Sequence, residues 1–219
     1  MTRKRKGPGR PEGRSTLPDE ILDVAETMFA DLGYAGTSLR QVAETVQANP
    51  ALINYYYSNK ENLFGAVFLR RGLKIAEERM QRLAELEEGG AYSVEQLVRA
   101  FLEPSERLRD TKQGRSFLRL HARLHMEPEE ISYELRRRVY QESTLAYASA
   151  FERLLPDVPS ATIYHKISLM IGSYLYAFSD TNRLQELSDP EEISAAREHL
   201  LTDTVNFVTA GMLAGHEPG

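Results

Sequence analysis

The 219-residue chain contains neither cysteine nor tryptophan and carries a formal net charge of -5, which excludes a disulfide scaffold, a cysteine-ligated metal site and a thiol nucleophile. This usage suits a reducing cytoplasm, and with only short, charge-interrupted apolar runs behind a polar, basic start, neither a membrane span nor a secretion signal is expected. The length admits a small domain joined to a larger one.

Charge is unevenly spread along the chain. Residues 1–16 hold Arg3, Lys4, Arg5, Lys6, Arg10 and Arg14 against the single acid Glu12, a net +5, so a body at -10 makes up the total of -5. Such an arm attracts nucleic acid while the body repels it wherever it is not shaped to meet it. With three glycines, two prolines and almost no apolar content, the arm is expected to be disordered alone, with a reach of roughly 50 Å at about 3.3 Å per residue. Gly9-Arg10-Pro11 resembles an AT-hook arm that inserts arginine into a narrow minor groove. A generic solvated tail adding salt-sensitive affinity is the other reading.

Residues 17–32 place Ile21, Leu22, Val24, Ala25, Met28, Phe29 and Leu32 at helical spacing. Pro18, Asp19 and Glu20 suit the helix start, and Gly33 is expected to end it. Thr37 or Ser38 can cap a second helix, Leu39 to Val46, with Leu39, Val42, Ala43 and Val46 inward. The turn Gln47-Ala48 leads to Asn49-Pro50, an N-cap followed by a first-turn proline, and to a short third helix ending about Tyr56. Ile53 and Tyr57 point inward, leaving Pro50, Ala51, Asn54, Tyr55 and Tyr56 as an outward surface of the kind that reads base edges and methyl groups. Ser58 to Glu61 reads as a further N-cap ahead of a long helix reaching about Leu86. Lys60 sits in its first turn, against the dipole, where a DNA phosphate would relieve the conflict.

Two short helices, a tight turn and a closing lysine over Thr37 to Lys60 have the layout of a helix-turn-helix. Over residues 18–70 the chain resembles the N-terminal domain of the tetracycline-repressor (TetR) family. The resemblance rests on Phe29-x-x-x-Gly33-Tyr34, Thr37-Ser38-x-x-x-Val42-Ala43 and Tyr55-Tyr56-x-Ser58-Asn59-Lys60-Glu61-x-Leu63. It implies that Arg40 and Gln41 start the second helix near DNA, that Asn49, Pro50, Ala51, Asn54, Tyr55 and Tyr56 lie on the major groove, and that Lys60 meets phosphate. Gln47 and Asn54 stand where the family usually has glycine and tyrosine, and glutamine in a left-handed turn costs roughly 1 kcal/mol.

Beyond Gly89 the pattern is helical, with breaks at Gly89-Gly90, Pro104, Gly114, Pro128, Pro156 to Pro159 and Asp189-Pro190. Helices are expected at Ser93 to Asp110, Gly114 to Met126, Pro128 to Leu155, Ser160 to Thr181 and Pro190 to Met212. The last two are apolar nearly all round and have to be covered twice. Pairing with their two-fold copies in a four-helix interface, which the resemblance also implies, would cover them.

His121 and His125, four apart, could grip a metal, but no third ligand is evident, and no metal or cofactor is expected. No glycine-rich phosphate loop, Gly-x-Ser-x-Gly elbow or His-Glu-x-x-His motif is present, so the chain does not read as an enzyme. Phe101, Phe117, Tyr133, Tyr140, Tyr147, Phe151 and Tyr174 recur with His121 and His125 along the middle helices, at a helical spacing that for any one of them is most often plain core. Buried phenol and imidazole groups need polar partners, and a cavity holding an amphipathic ligand would supply them. In the family this region holds the effector pocket, and the stretch around Ile167 to Leu187 resembles members responding to fatty acyl or similar apolar compounds.

The expected molecule is therefore all-α, with a basic arm (1–16), a three-helix helix-turn-helix domain (17–62) and a larger helical effector-binding and dimerisation domain (63–219). Its expected partners are double-stranded DNA, a small-molecule effector and a second copy, without a membrane. The expected action is repression at a palindromic operator, relieved by the effector. An activator of the same fold and a helical protein-interaction adaptor are the alternatives.

Overall fold

The computed structural model describes residues 17–179 and 190–215, the side chains of the latter stretch from residue 198 onward. The basic arm, the expected helix end at Thr181 and most of the acyl-type stretch after Phe178 lie outside the described residues. Among those described every regular element is helical: α1 (Leu17–Gly36), α2 (Leu39–Thr45), α3 (Pro50–Tyr57), α4 (Lys60–Glu88), α5 (Val94–Glu106), a 3-10 turn (Arg107–Asp110), α6 (Lys112–Leu124), α7 (Glu129–Leu154), α8 (Ser160–Phe178) and α9 (Pro190–Leu213).

Local sequence explains most helix starts. The Ser38 hydroxyl accepts from the Gln41 amide while the Gln41 side chain accepts from the Ser38 backbone, a capping box. Asn49 accepts from the Ala51 amide ahead of Pro50, and Ser93 with Gln96 repeats the box at α5. Several expectations shift, among them Gly114, which lies inside α6 behind the Thr111 cap instead of starting the helix. Gly33 (φ 75, ψ 177) interrupts α1 without ending it, and one further turn runs to Gly36. The cap of α4 is Asn59, which accepts from the Asn62 amide, while Ser58 takes φ 63 at the end of α3. Pro104 lies inside α5, and the backbone tightens to 3-10 only after Glu106. Leu32, expected on the apolar stripe of α1, is exposed.

Two apolar clusters fill the molecule. One joins Ile21, Phe29, Val42, Ile53 and Phe64 of the first four helices to Phe117, Leu120 and Leu124 of α6 and to Leu135 and Val139 of α7. The other packs α5, the second half of α7, α8 and α9 around Phe101, Tyr147, Phe151, Met170 and Val205. Helix α1 packs most extensively against α6, and α4 against α7. The first three helices are thus seated on the larger bundle, with α4 running through both. Glu26, 1 % exposed on the buried side of α1, is held by Arg70 (3.1 Å) and Arg71 (2.8 Å) of α4.

Candidate functional site

Helix α3 is anchored by Ile53, which is fully buried, and by the Tyr57 hydroxyl, which donates to the Pro18 carbonyl at 3.2 Å. The rest of α3 faces solvent: Pro50, Ala51, Asn54, Tyr56 and Tyr55, the last 80 % exposed. Leu52, which the sequence reading did not single out, is exposed beside them. The Tyr55 and Tyr56 rings meet edge to face, 5.4 Å apart. Asn49 is engaged as the cap, and Gln41 likewise, accepting from the Ser38 amide and hydroxyl at 2.9 and 2.7 Å. Arg40 reaches Glu44 at 2.8 Å with both side chains in water. Such a pair contributes little, so its guanidinium can exchange the carboxylate for another anion. Gln47 takes the left-handed conformation, with φ 54, so the turn keeps this geometry in spite of the cost to a residue that is not glycine.

Lys60 has an internal answer to its dipole conflict. Half-buried, it donates to the Tyr34 carbonyl at 3.0 Å and lies over the Tyr34 ring, 4.3 Å from its centre. The start of α4 is thereby tied to the last turn of α1. The same turn is held from the other side by α6 and the residues after it. Arg123 donates to the Ala30 and Asp31 carbonyls at 3.2 Å each, Arg119 pairs with Asp31 at 2.9 Å, and the Glu127 carboxylate accepts from the Tyr34 amide at 3.0 Å. A side chain at Gly33 would come within 2.9 Å of Arg123 Nε, so this glycine provides both the positive φ and the space for the clamp.

The other face of α6 walls a cavity of about 320 Å³ bounded by α4, α6, α7 and α8. Of the residues expected to meet a ligand, His121, His125, Tyr140 and Tyr174 line it. Phe101, Phe117, Tyr147 and Phe151 do not; they are fully buried in the apolar clusters behind it. The Tyr147 hydroxyl is satisfied by the Arg79 carbonyl at 2.9 Å, which leaves it nothing to offer a ligand. His121 and Tyr140 stack with centres 4.8 Å apart. Both His121 Nδ1 and the Tyr140 hydroxyl are buried without a hydrogen-bond partner. Burial pushes His121 well below the usual histidine range, with His125 and Arg79 adding to it. It lowers His125 to about 4, Arg136 contributing, and raises Tyr140 well above the ordinary phenol range. All three side chains are neutral at pH 7. The imidazole rings of His121 and His125 are 5.7 Å apart, and among the described residues no third acid or imidazole joins them in a metal-binding group.

Among the lining residues that the sequence reading missed, Arg79 is the most buried, 1 % exposed. It occupies a position in the buried stripe of α4 that runs through Phe68, Gly72, Ile75, Arg79 and Leu83. A charged residue at an apolar-stripe position was the available clue. Arg136 and Arg137 of α7 stand at the cavity as well.

Away from both sites, α8 and α9 present Leu169 (60 % exposed), Tyr176 (57 %) and Phe207 (71 %) along a shared groove. No described helix is long and apolar enough to cross a membrane.

Comparison with known proteins bears on both halves. A family model described as bacterial regulatory proteins, tetR family, matches residues 21–67. A second, tetracyclin repressor-like, C-terminal domain, matches residues 99–211. The HTH-type transcriptional repressor AcnR of Corynebacterium diphtheriae is 40 % identical over 58 residues, 26 % of this chain and 30 % of that protein. The biofilm operon icaADBC negative transcriptional regulator IcaR of Staphylococcus epidermidis is 38 % identical over 48 residues, 22 % and 26 % respectively. The matches thus span only about a quarter to a third of those relatives. A TetR-family transcriptional regulator from Bordetella parapertussis has the same fold, with a TM-score of 0.62 at 16 % identity over 93 % of this chain and 97 % of that one.

Proposed function

Since the chain belongs to the tetR family of bacterial regulatory proteins, we propose that it acts as a dimeric repressor that covers a palindromic operator and leaves it when a small molecule enters the cavity. The observation that carries this reading is α3, whose Asn54, Tyr55 and neighbours are exposed although the core demands none of them. Helix α3 enters the major groove, with Ala51, Asn54, Tyr55 and Tyr56 toward base edges and the Asn49-Pro50 start near the backbone. Arg40 moves from Glu44 to phosphate, Gln41 holds the first turn of α2, and Lys60 reaches phosphate from its place on Tyr34. Repression by the relatives AcnR and IcaR agrees with it.

The switch runs through α6 as well as α4. A ligand against His121 and His125 presses on the helix whose other face holds Ala30, Asp31 and Gly33. A small displacement of α6 and α4 alters the separation of the two reading helices, which must match a DNA repeat of about 34 to 36 Å. The ligand needs only to bind the DNA-incompetent arrangement better.

A gel-shift titration with the native upstream region tests the reader. Asn54→Ala weakens binding on the order of tenfold or more with altered base preference, and Lys60→Met lowers the salt slope by about one. Wild-type affinity and salt slope in both variants, with folding verified by circular dichroism, sink the assignment. Binding that ignores salt points instead to a protein-interaction adaptor.

A further inference from the structure

We propose that the cavity bounded by α4, α6, α7 and α8 is a receptor for a compact monocarboxylic acid with an apolar body, its carboxylate docking on Arg79 and the Tyr140 hydroxyl. This rests on reading the cavity as the effector site, and it adds the chemical class of the effector.

The argument starts from an unanswered charge. Arginine does not deprotonate in a protein, and burying an unpaired ion costs several kcal/mol. Arg79 is nonetheless among the most buried side chains of the molecule. Its bonds go to neutral groups: Nε donates to the Phe101 carbonyl at 2.9 Å and Nη2 to the Ser105 hydroxyl at 3.2 Å. The guanidinium also lies over Phe101, 3.7 Å from the ring centre, with Tyr174 and Tyr140 at 5.3 and 5.5 Å. These contacts fix its plane and leave its charge in place. Among the described residues no carboxylate forms an ion pair with it, and no acidic side chain lines the cavity, whereas Arg136 and Arg137 do. Glu134, on the same helix as these arginines, is spent on Arg137 at 3.0 Å, out in solvent.

A second observation points to the same place. The Tyr140 hydroxyl and His121 Nδ1 are buried, unpartnered and stacked together beside Arg79. A buried group without a partner costs about 1–3 kcal/mol, and two in one cavity mark a position where a ligand supplies the missing atoms. A carboxylate has two oxygens to accept from a guanidinium edge and a phenol at once. Tyr140 is neutral and can donate.

Size and lining define the rest of the molecule. About 320 Å³ is the lower end for ligand cavities and equals roughly ten water molecules at about 30 Å³ each. Tyr133, Leu145, Ile171 and Tyr174 supply apolar walls. The space suits an aryl or short alkyl acid and is too small for a long chain lying wholly inside.

The test is calorimetric titration of the intact protein with phenylacetate and hexanoate, with the matched neutral amides and with inorganic phosphate. The acids are expected to bind at least tenfold tighter than their amides. Tyr140→Phe, which keeps the ring and its packing, should weaken the acids about tenfold and leave the amides unchanged. Arg79→Lys, retaining charge but losing the planar fork, should weaken them further. Equal binding of acid and amide, no binding by either acid, or phosphate binding as tightly as the acids overturns the proposal. Operator release is followed in parallel. Tyr140-dependent acid binding that leaves the operator complex intact upholds the site and refutes the effector reading. Release by an amide alone refutes the carboxylate and spares that reading.

Discussion

Burial keeps His121 and His125 uncharged in the folded protein, and this has a measurable cost in acid. His125 titrates at about 4 against an ordinary 6.5, so below pH 6.5 the unfolded chain binds a proton that the folded one refuses. Stability contributed above pH 6.5 is therefore lost as pH falls toward 4, on the order of 2 kcal/mol for this partly exposed ring. His125→Asn should flatten the pH dependence of the urea midpoint between 6.5 and 4.5; an unchanged slope rules out this assignment. Other single residues show how far type and spacing carry. Ile53 inward and Asn54 and Tyr55 outward follow from helical periodicity, and the structure places them so. Lys60 was legible as a charge in the wrong place for the helix dipole, but its resting partner, the Tyr34 carbonyl 26 residues earlier, was not.

The starts of α2, α3 and α5 were legible because a cap is written within four residues: Ser38 with Gln41, Asn49 with Pro50, Ser93 with Gln96. Helix pairings were not, because they depend on shape at a distance. The crossing of α4 and α7 is the case with most consequence for the cavity. Gly72 sits where a methyl group would lie 2.8 Å from Val139 Cγ1 and 3.3 Å from the Tyr140 hydroxyl. Gly72→Ala is expected to force the two helices apart and destabilise the protein by about 1–3 kcal/mol, read as a lower urea midpoint with an unchanged slope. An alanine variant as stable as wild type would mean that the crossing tolerates a wider spacing. Helix α6 is the other long-range element. Its residues look amphipathic in sequence, yet nothing local says that one face clamps the Gly33 bend while the other walls the cavity.

For the whole molecule the exposed α8 and α9 face has the most consequence. Leu169, Tyr176 and Phe207 stand in water on neighbouring helices, an apolar surface of the kind that marks a protein interface. We expect a two-fold dimer there. Leu169→Asp combined with Phe207→Asp should convert it to a monomer in analytical ultracentrifugation, with operator affinity falling by at least tenfold because the half-sites are no longer bound as one unit. A monomeric wild-type protein that still binds the full operator would remove this interface from the account.

The sequence by itself determined the helical class, the helix-turn-helix with its outward residues and the absence of thiol chemistry, since each of these follows from periodicity, caps or composition within a few neighbouring residues. Only the tertiary structure decided which aromatics line the cavity and which fill the core, why Gly72 carries no side chain, and that Arg79 is a buried cation without an acidic partner among the described residues. Those facts depend on residues of α4, α5, α6, α7 and α8 meeting across tens of positions. One helix's periodicity states which face is buried, never what it is buried against.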